Sequence, residues 1–528
     1  MHSIAVFDST LRDGAQAEGI SFSVPDKLKI VKALDSLGIA YIEAGNPGSN
    51  PKDLEFFEEV AKLDLKTSKM TAFGSTRRHS TAVEDDRNVQ SMLAANTPAV
   101  AIFGKSWDFH VTDVLQTTLD ENLAMIRDTV AFFKKHRKEV IFDAEHFYDG
   151  IKENPEYAMA SLQAAVEGGA DVLCLCDTNG GGFPSEIQSV TARVVETFST
   201  LVGIHCHNDG GMAEANTVMA VESGARHVQG TFNGIGERCG NANLCTIIPS
   251  LQLKQHWRCV PEEEIVNLTA TSRMIAEIAN MAFNERDPYV GKSAFAHKGG
   301  MHIDAINKSV RSFEHVDPQL IGNERRILMS EVSGRTTILN KIQRVMPELT
   351  KDSPETKHII ETLKHLEHVG YQFEGAESSF ELIVRKELGK YKPFFELNHF
   401  RTIGEQPSNE RFSSSAIIKI NVDGQEEVTA AEGDGPVNAL DKALRKALEV
   451  FYPQLKEVHL TDYKVRVLDT KDATAAKVRV LIESSDGQDF WTTVGVSTDI
   501  IEASWLALVD SIEHKLIKDM EKRMRIFL

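Results

Sequence analysis

Eight short apolar runs, separated by helix-length amphipathic stretches, fill the first 235 residues. They are IAVFD (4–8), YIEAG (41–45), MTAFG (70–74), AVAIFG (99–104), VIFDAE (140–145), DVLCLCD (171–177), LVGIHCH (201–207) and RHVQGT (226–231). Short β-rich runs alternating with helices imply βα units and parallel strands. Pro25 opens and Gly38 closes the stretch PDKLKIVKALDSLG, with Leu28, Val31 and Leu34 on one stripe, and PEYAMASLQAAVEGG (155–169) has the same form. That is how a helix starts and stops. Eight such units predict an α/β fold, a closed (β/α)8 TIM barrel. The competitor is an open doubly wound sheet, but DSTLRDG follows the first run where a dinucleotide-binding sheet wants G-x-G-x-x-G.

In a barrel the carboxyl ends of the strands face the active site. The polar motifs fall just there: Asp8 to Asp13, Glu145, Asp177 with Thr178, and HCHND (205–209). Residues two apart on a strand share a face, so His205 and His207 project together and Cys206 points away. Two imidazoles at a strand end are able to share a metal ion, and a carboxylate from elsewhere would complete the set. Strands one and seven lie two apart around the barrel, which makes Asp13 the expected third ligand. Arg12 beside a cation requires an anionic substrate, whose oxygen it would polarise. Asn241 in NGIGERCGNAN (233–243) is placed to reach the metal through water. Glu145 is a candidate base or partner of the ion's water shell. Thr178, ahead of a helix N-terminus, suits a substrate carboxylate. The plainer readings are a hydrogen-bonded histidine pair, a surface Arg-Asp pair and tight βα turns.

Beyond the barrel, assigned to 1–265, residues 266–400 become helical and charged, which predicts small linker subdomains. From 401 to 528 the pattern AIIKINVD then GDGPVNALDKALRKALEVF recurs as AKVRVLIES then VGVSTDIIEASWLALVDSIEHKL. Such duplication predicts a pseudosymmetric α+β domain. A net charge of −19 disfavours nucleic acid and anionic lipid as partners. No run of 18 apolar residues is present, so no spanning helix is expected. The N-terminus lacks a basic segment leading into an apolar one, so no secretory signal is expected. Six cysteines without C-x-x-C spacing fit a reducing cytoplasm.

Taken together, DSTLRDGAQ, HCHND, GERCGNAN, GGMHIDAIN and a C-terminal GDGPVNAL with VGVSTDIIEAS resemble the DRE-TIM metallolyases. Within that family the full arrangement is similar to the 2-isopropylmalate and citramalate synthase group, and GKSWDFHV (104–111) with AEHFYDG (144–150) look most like the (R)-citramalate synthases. The resemblance implies a Claisen condensation: acetyl-CoA loses a methyl proton, its enolate attacks a 2-oxo acid, and the thioester is hydrolysed. It implies a divalent cation, Mg²⁺ or Mn²⁺ with Zn²⁺ tolerated, on Asp13, His205 and His207 with Asn241 nearby. Arg12 would polarise the ketone, Thr178 bind the carboxylate and Glu145 assist at the metal shell. His302, which spacing alone leaves as a capping or solvated residue, matches the family's acid/base histidine, supplied by a partner subunit of a homodimer.

Several expectations depart from or extend the resemblance. Phe313 stands where related synthases often carry Tyr, so no phenol acts there. Trp107 and Phe109 are expected to favour pyruvate by crowding out branched side chains. The duplicated domain resembles an amino-acid-binding regulatory domain, with Gly433, Gly435, Val437 and Ile500 as candidate contacts and isoleucine as the effector. The alternatives are 2-oxoisovalerate or 2-oxoglutarate as substrate, with Arg77 and Arg78 available for a distal carboxylate, a lyase of the same superfamily, and a non-catalytic amino-acid sensor that retained a barrel.

Overall fold

Each of the eight runs is a strand: β1 Ala5–Asp8, β2 Tyr41–Glu43, β3 Lys69–Ser75, β4 Ala99–Lys105, β5 Glu139–Glu145, β6 Val172–Asp177, β7 Leu201–Cys206 and β8 His227–Gly230. They pair in parallel in that order, and β8 closes on β1 with Ala5 opposite His227 and Asp8 opposite Gly230. The computed structural model describes residues 3–48, 51–298, 300–328, 338–339, 342–343, 345–350, 352–404, 414–468 and 476–526.

Local chemistry explains why the strands are spaced this way. The helix Val24–Leu37 is opened by a reciprocal Ser23–Asp26 capping box and closed by Gly38 at φ 89°, a left-handed turn that glycine adopts without a Cβ penalty. The helix Pro155–Gly168 is capped by Asn154 and ended by Gly169 in the same conformation. Alternation along the strands builds two cores. Val6, Ile42, Val100, Ile102 and Val140 face the helices. Phe7, Tyr41, Ala99, Ala101, Ile141, Val172, Cys174 and Cys176 fill the lumen. The lumen is therefore a packed plug, as expected for this architecture.

The chain divides into two compact units, residues 1–296 with 314–326 and residues 297–313 with 327–528. In the second unit, the helix Pro354–Val369 buries Ile359, Ile360 and Leu363, and the helix Glu377–Glu387 buries Phe380 and Val384 in the same cluster. The C-terminal part holds two three-stranded antiparallel sheets, Glu396–Gly404, Ser414–Val422 and Gln425–Gly433, then His459–Val467, Val478–Ser485 and Phe490–Ser497. Each is followed by a helix, Pro436–Leu448 or Ile500–Ile526. The duplication extends to single bonds: the Thr429 hydroxyl donates to the Ala443 carbonyl at 2.8 Å, and the Thr493 hydroxyl donates to the Ala507 carbonyl at 2.7 Å. Among the described residues no helix is long and apolar enough to cross a membrane.

Candidate active site

The carboxyl ends of the barrel strands bring Arg12, Asp13, Glu145, Thr178, His205 and His207 to one cavity of about 250 Å³. Its size falls just below the ordinary range for ligand pockets, about 300–1,000 Å³, which favours a small substrate. His205 is in β7 and His207 follows it, both facing the lumen, while Cys206 is buried on the other side. The Nε2 atoms of His205 and His207 lie 3.6 and 3.9 Å from Asp13 Oδ2. Those separations are too long for hydrogen bonds. Three ligand atoms thus converge within 4.8 Å of one another without sharing a proton.

The donor set fits a divalent cation. Burial opposes ionisation of Asp13, but Arg12, His205 and His207 outweigh it and bring its carboxyl down to about 2. Burial, with His205 alongside, pushes His207 down to about 3, and burial lowers His205 as well. At neutral pH the site therefore offers one carboxylate and two neutral imidazoles. Asp13 Oδ1, His207 Nδ1 and Asn241 Oδ1 are buried without a hydrogen-bond partner, an arrangement that is expensive unless something else binds there. Asn241 is brought beside His207 by a bridge between the two residues. A Cβ at Gly236 would fall 2.1 Å from Asn241 Nδ2, and Gly240 turns at φ 89°, so the glycines of this loop let the asparagine close in. A second grouping, Asp143 with Cys174 and Cys176, lies in the lumen. Burial pushes the Cys174 thiol far up and Asp143 up to about 7, so that grouping holds protons where the first holds lone pairs.

Arg12 is positioned by residues that spacing did not reveal. Its Nε donates to Glu43 Oε2 at 2.7 Å, its Nη1 pairs with Asp13 at 3.2 Å, and its guanidinium lies 3.7 Å over the Phe73 ring. Glu43, at the end of β2, also accepts from the Ser9 hydroxyl at 2.5 Å. The YIEAG run carried this carboxylate in plain view, but a lone Glu in an apolar run has no motif. Thr178 Oγ1 accepts from the His146 N–H at 2.9 Å, which leaves its own proton free to donate. Glu145 pairs with Lys105. Arg238 donates to Asp209 at 2.8 Å and to the Thr178 carbonyl at 2.7 Å, tying the loops after β6, β7 and β8 together.

Two expectations need correction. The aromatic wall of the cavity is Phe73 and Phe103, stacked at 5.2 Å. Trp107 and Phe109 do not line it; Trp107 stacks on His110 at 5.1 Å and donates to Glu153 at 2.8 Å. Phe109 is 46 % exposed and Trp107 partly so. Nor does Arg77 face the cavity: it pairs with Glu121 and Asp128 at 2.8 Å each.

In the second unit His302 stacks on Phe313 at 4.1 Å, in the helix Gly300–Lys308. Gly433 ends a strand where a Cβ would meet Ala439 N at 2.5 Å. Gly435 caps the helix that contains Val437. Ile500 begins the last helix and is 43 % exposed.

The chain matches the HMGL-like family over residues 3–278, the homocitrate synthase post-HMGL domain-like family over 289–370 and the LeuA allosteric (dimerisation) domain over 374–516. It is 52 % identical to the (R)-citramalate synthase of Aquifex aeolicus, covering 98 % of this chain and 99 % of that protein. It is 49 % identical to the (R)-citramalate synthase of Geobacter sulfurreducens, covering 99 % of each. Identity to the 2-isopropylmalate synthase of Pelotomaculum thermopropionicum is 28 %, covering 98 % of this chain and 99 % of that protein.

Proposed function

We propose that this chain, which belongs to the HMGL-like family and within it to the (R)-citramalate synthases, condenses acetyl-CoA with pyruvate to give citramalate and free CoA. It is an enzyme of the acyltransferase class whose acyl group becomes an alkyl group on transfer. The observation that carries the reading is the meeting of Arg12 with the Asp13, His205 and His207 donors in one small cavity walled by Phe73 and Phe103.

The residues divide the work by what each has left to offer. Asp13, His205 and His207 would hold a divalent cation, with Asn241 beside them; Mg²⁺ or Mn²⁺ suits the carboxylate, and two imidazoles also suit Zn²⁺. When bound, such an ion supplies Lewis-acid polarisation of a chelated 2-oxo acid. Arg12, held by Glu43 and Asp13, directs its remaining N–H groups at the ketone oxygen, where negative charge grows as the new bond forms. Thr178 donates its free hydroxyl proton to the substrate carboxylate. Phe73 and Phe103 leave room for a methyl group and crowd a branched side chain.

The methyl proton of acetyl-CoA is weakly acidic, so its enolate must form beside a positioned electrophile. The enolate carbon then bonds to the ketone carbon and the ketone oxygen takes up a proton. Water next cleaves the thioester, giving a carboxylate and the CoA thiol. Glu145 would assist at the metal's water shell, and His302, from the linker of a partner subunit in a homodimer, would serve as the acid/base. Arg77, one of the two arginines considered for the distal carboxylate of 2-oxoglutarate, is already paired with Glu121 and Asp128.

Isoleucine is the proposed feedback effector, since citramalate opens a threonine-independent route to that amino acid; Gly433, Gly435, Val437 and Ile500 are its proposed contacts. Six free cysteines support a cytoplasmic setting. CoA thiol release, compared for pyruvate, 2-oxobutyrate, 2-oxoisovalerate and 2-oxoglutarate with and without isoleucine, tests the reading. Release fastest with pyruvate and slowed by isoleucine is expected. Faster release with another acid changes the substrate, insensitivity to isoleucine removes the effector, and no release with any acid overturns the function.

A further inference from the structure

The two histidines of the site are not held alike. His207 Nδ1 is buried without a hydrogen-bond partner. His205 Nδ1 lies 2.9 Å from Gln229 Oε1, because the parallel register of β7 and β8 sets His205 opposite Gln229. Gln229 is fully buried, and its Nε2 donates to Asp143 Oδ1 at 2.8 Å. The same Nε2 is 3.4 Å from His227 Nε2.

The direction of this chain of bonds is decided at its far end. Oδ1 of Asp143 accepts whether the group is a carboxylate or a carboxyl protonated on its other oxygen. The NH₂ of Gln229 faces both Asp143 Oδ1 and His227 Nε2, which turns the amide oxygen towards His205. An amide oxygen only accepts. His205 must then carry its proton on Nδ1, which leaves the lone pair on Nε2, the atom directed at Asp13. With the amide reversed, its oxygen would face the Asp143 oxygen and its NH₂ would claim the Nδ1 lone pair, placing a proton on the atom meant to bind metal.

We propose that Gln229 is a positioning residue that holds His205 in its Nδ1–H tautomer and in one ring orientation, and that Asp143 holds Gln229 in turn. The proposal rests on the reading of His205 as a metal ligand. Gln229 touches neither substrate nor the ion; it acts through the histidine. Partners of this kind contribute roughly 10- to 100-fold to metal affinity in other sites.

Mn²⁺ titration followed by electron paramagnetic resonance tests it, with the wild-type full chain as control. Gln229→Leu keeps the volume and removes both bonds. It is expected to weaken Mn²⁺ binding about 10- to 100-fold, with activity restored by excess Mn²⁺ and the KM for acetyl-CoA unchanged at saturating metal. Wild-type affinity in a folded Gln229→Leu protein would overturn the proposal. Should that variant not fold, Asp143→Asn decides: its amide no longer dictates which way Gln229 faces, so several-fold weaker binding is expected and unchanged binding is fatal. If wild type itself binds no Mn²⁺, the metal reading falls and this proposal with it.

Discussion

Buried charge is used differently in the barrel and in the C-terminal helices. At the barrel's mouth Asp8, Asp13, Glu43 and Asp143 are all buried, and Arg12 is held among them by Glu43 and Asp13. Burial, with Glu43 nearby, pushes Asp8 and Asp143 up to about 7, while Asp13 stays ionised. On the helix Ile500–Ile526, Lys515 and Glu521 close into ion pairs instead. Lys515 sits 2.8 Å from both Asp486 and Asp519, and Arg385 sits 2.6 Å from both Glu381 and Glu521. A folded chain tolerates buried charge when it is paired. Where donor atoms converge on a cavity and remain unpartnered, the arrangement answers to a ligand.

The sharpest way to break this contrast is to remove one carboxylate from each region. Asp13→Ala is expected to reduce CoA release by about 10³-fold or more, because cation binding and one of the two carboxylates that hold Arg12 are lost. Asp519→Ala, which leaves Lys515 paired with Asp486, is expected to leave the rate within about twofold and to lower stability by at most about 1 kcal/mol. Equal losses of activity in the two would contradict the contrast. Phe103→Ala should enlarge the cavity and raise kcat/KM for 2-oxobutyrate relative to pyruvate by about tenfold, the order that a methylene's fit controls. An unchanged ratio would remove the aromatic pair from substrate choice.

The pH dependence of stability separates the regions further. Burial drives His514 down to about 4, against an ordinary value of about 6.5. Between those values the unfolded chain binds the proton and the folded chain does not. This contribution is complete above about pH 6.5 and is lost as pH falls towards 4, by at most about 1.4 kcal/mol per pH unit. His514→Gln should flatten that part of a urea-denaturation series between pH 7 and 4.5; a wild-type slope would show that other groups govern it. Smallest of all, Thr429→Val and Thr493→Val should each destabilise by about 1 kcal/mol, and by the same amount within about 0.5 kcal/mol. A marked inequality would mean that the two halves share a pattern and not an energetic role.

Strand number and polarity were legible because short apolar runs between capped helices leave few other architectures. The Asp13, His205 and His207 set was legible because H-x-H at a strand end and R-D after the first strand have no common structural use together. Glu43, Gln229 and Asp143 were not. Each is a polar strand residue that belongs to no motif, and its meaning depends on which strand lies beside it, information that register supplies and spacing does not. Trp107 and Phe109 misled for a related reason: closeness in sequence to a strand end says nothing of whether the following turn carries a ring inward or outward.

The central claim is that the barrel's mouth grips the 2-oxo acid through a cation held by Asp13, His205 and His207. Water proton relaxation of Mn²⁺-loaded protein, recorded while pyruvate is added, tests it most directly. Wild type is expected to take up one Mn²⁺ per chain at this site, with the relaxation enhancement falling as pyruvate displaces bound water, and Asp13→Asn is expected to show neither effect. Undiminished Mn²⁺ uptake by Asp13→Asn, or an enhancement indifferent to pyruvate in wild type, would contradict the account.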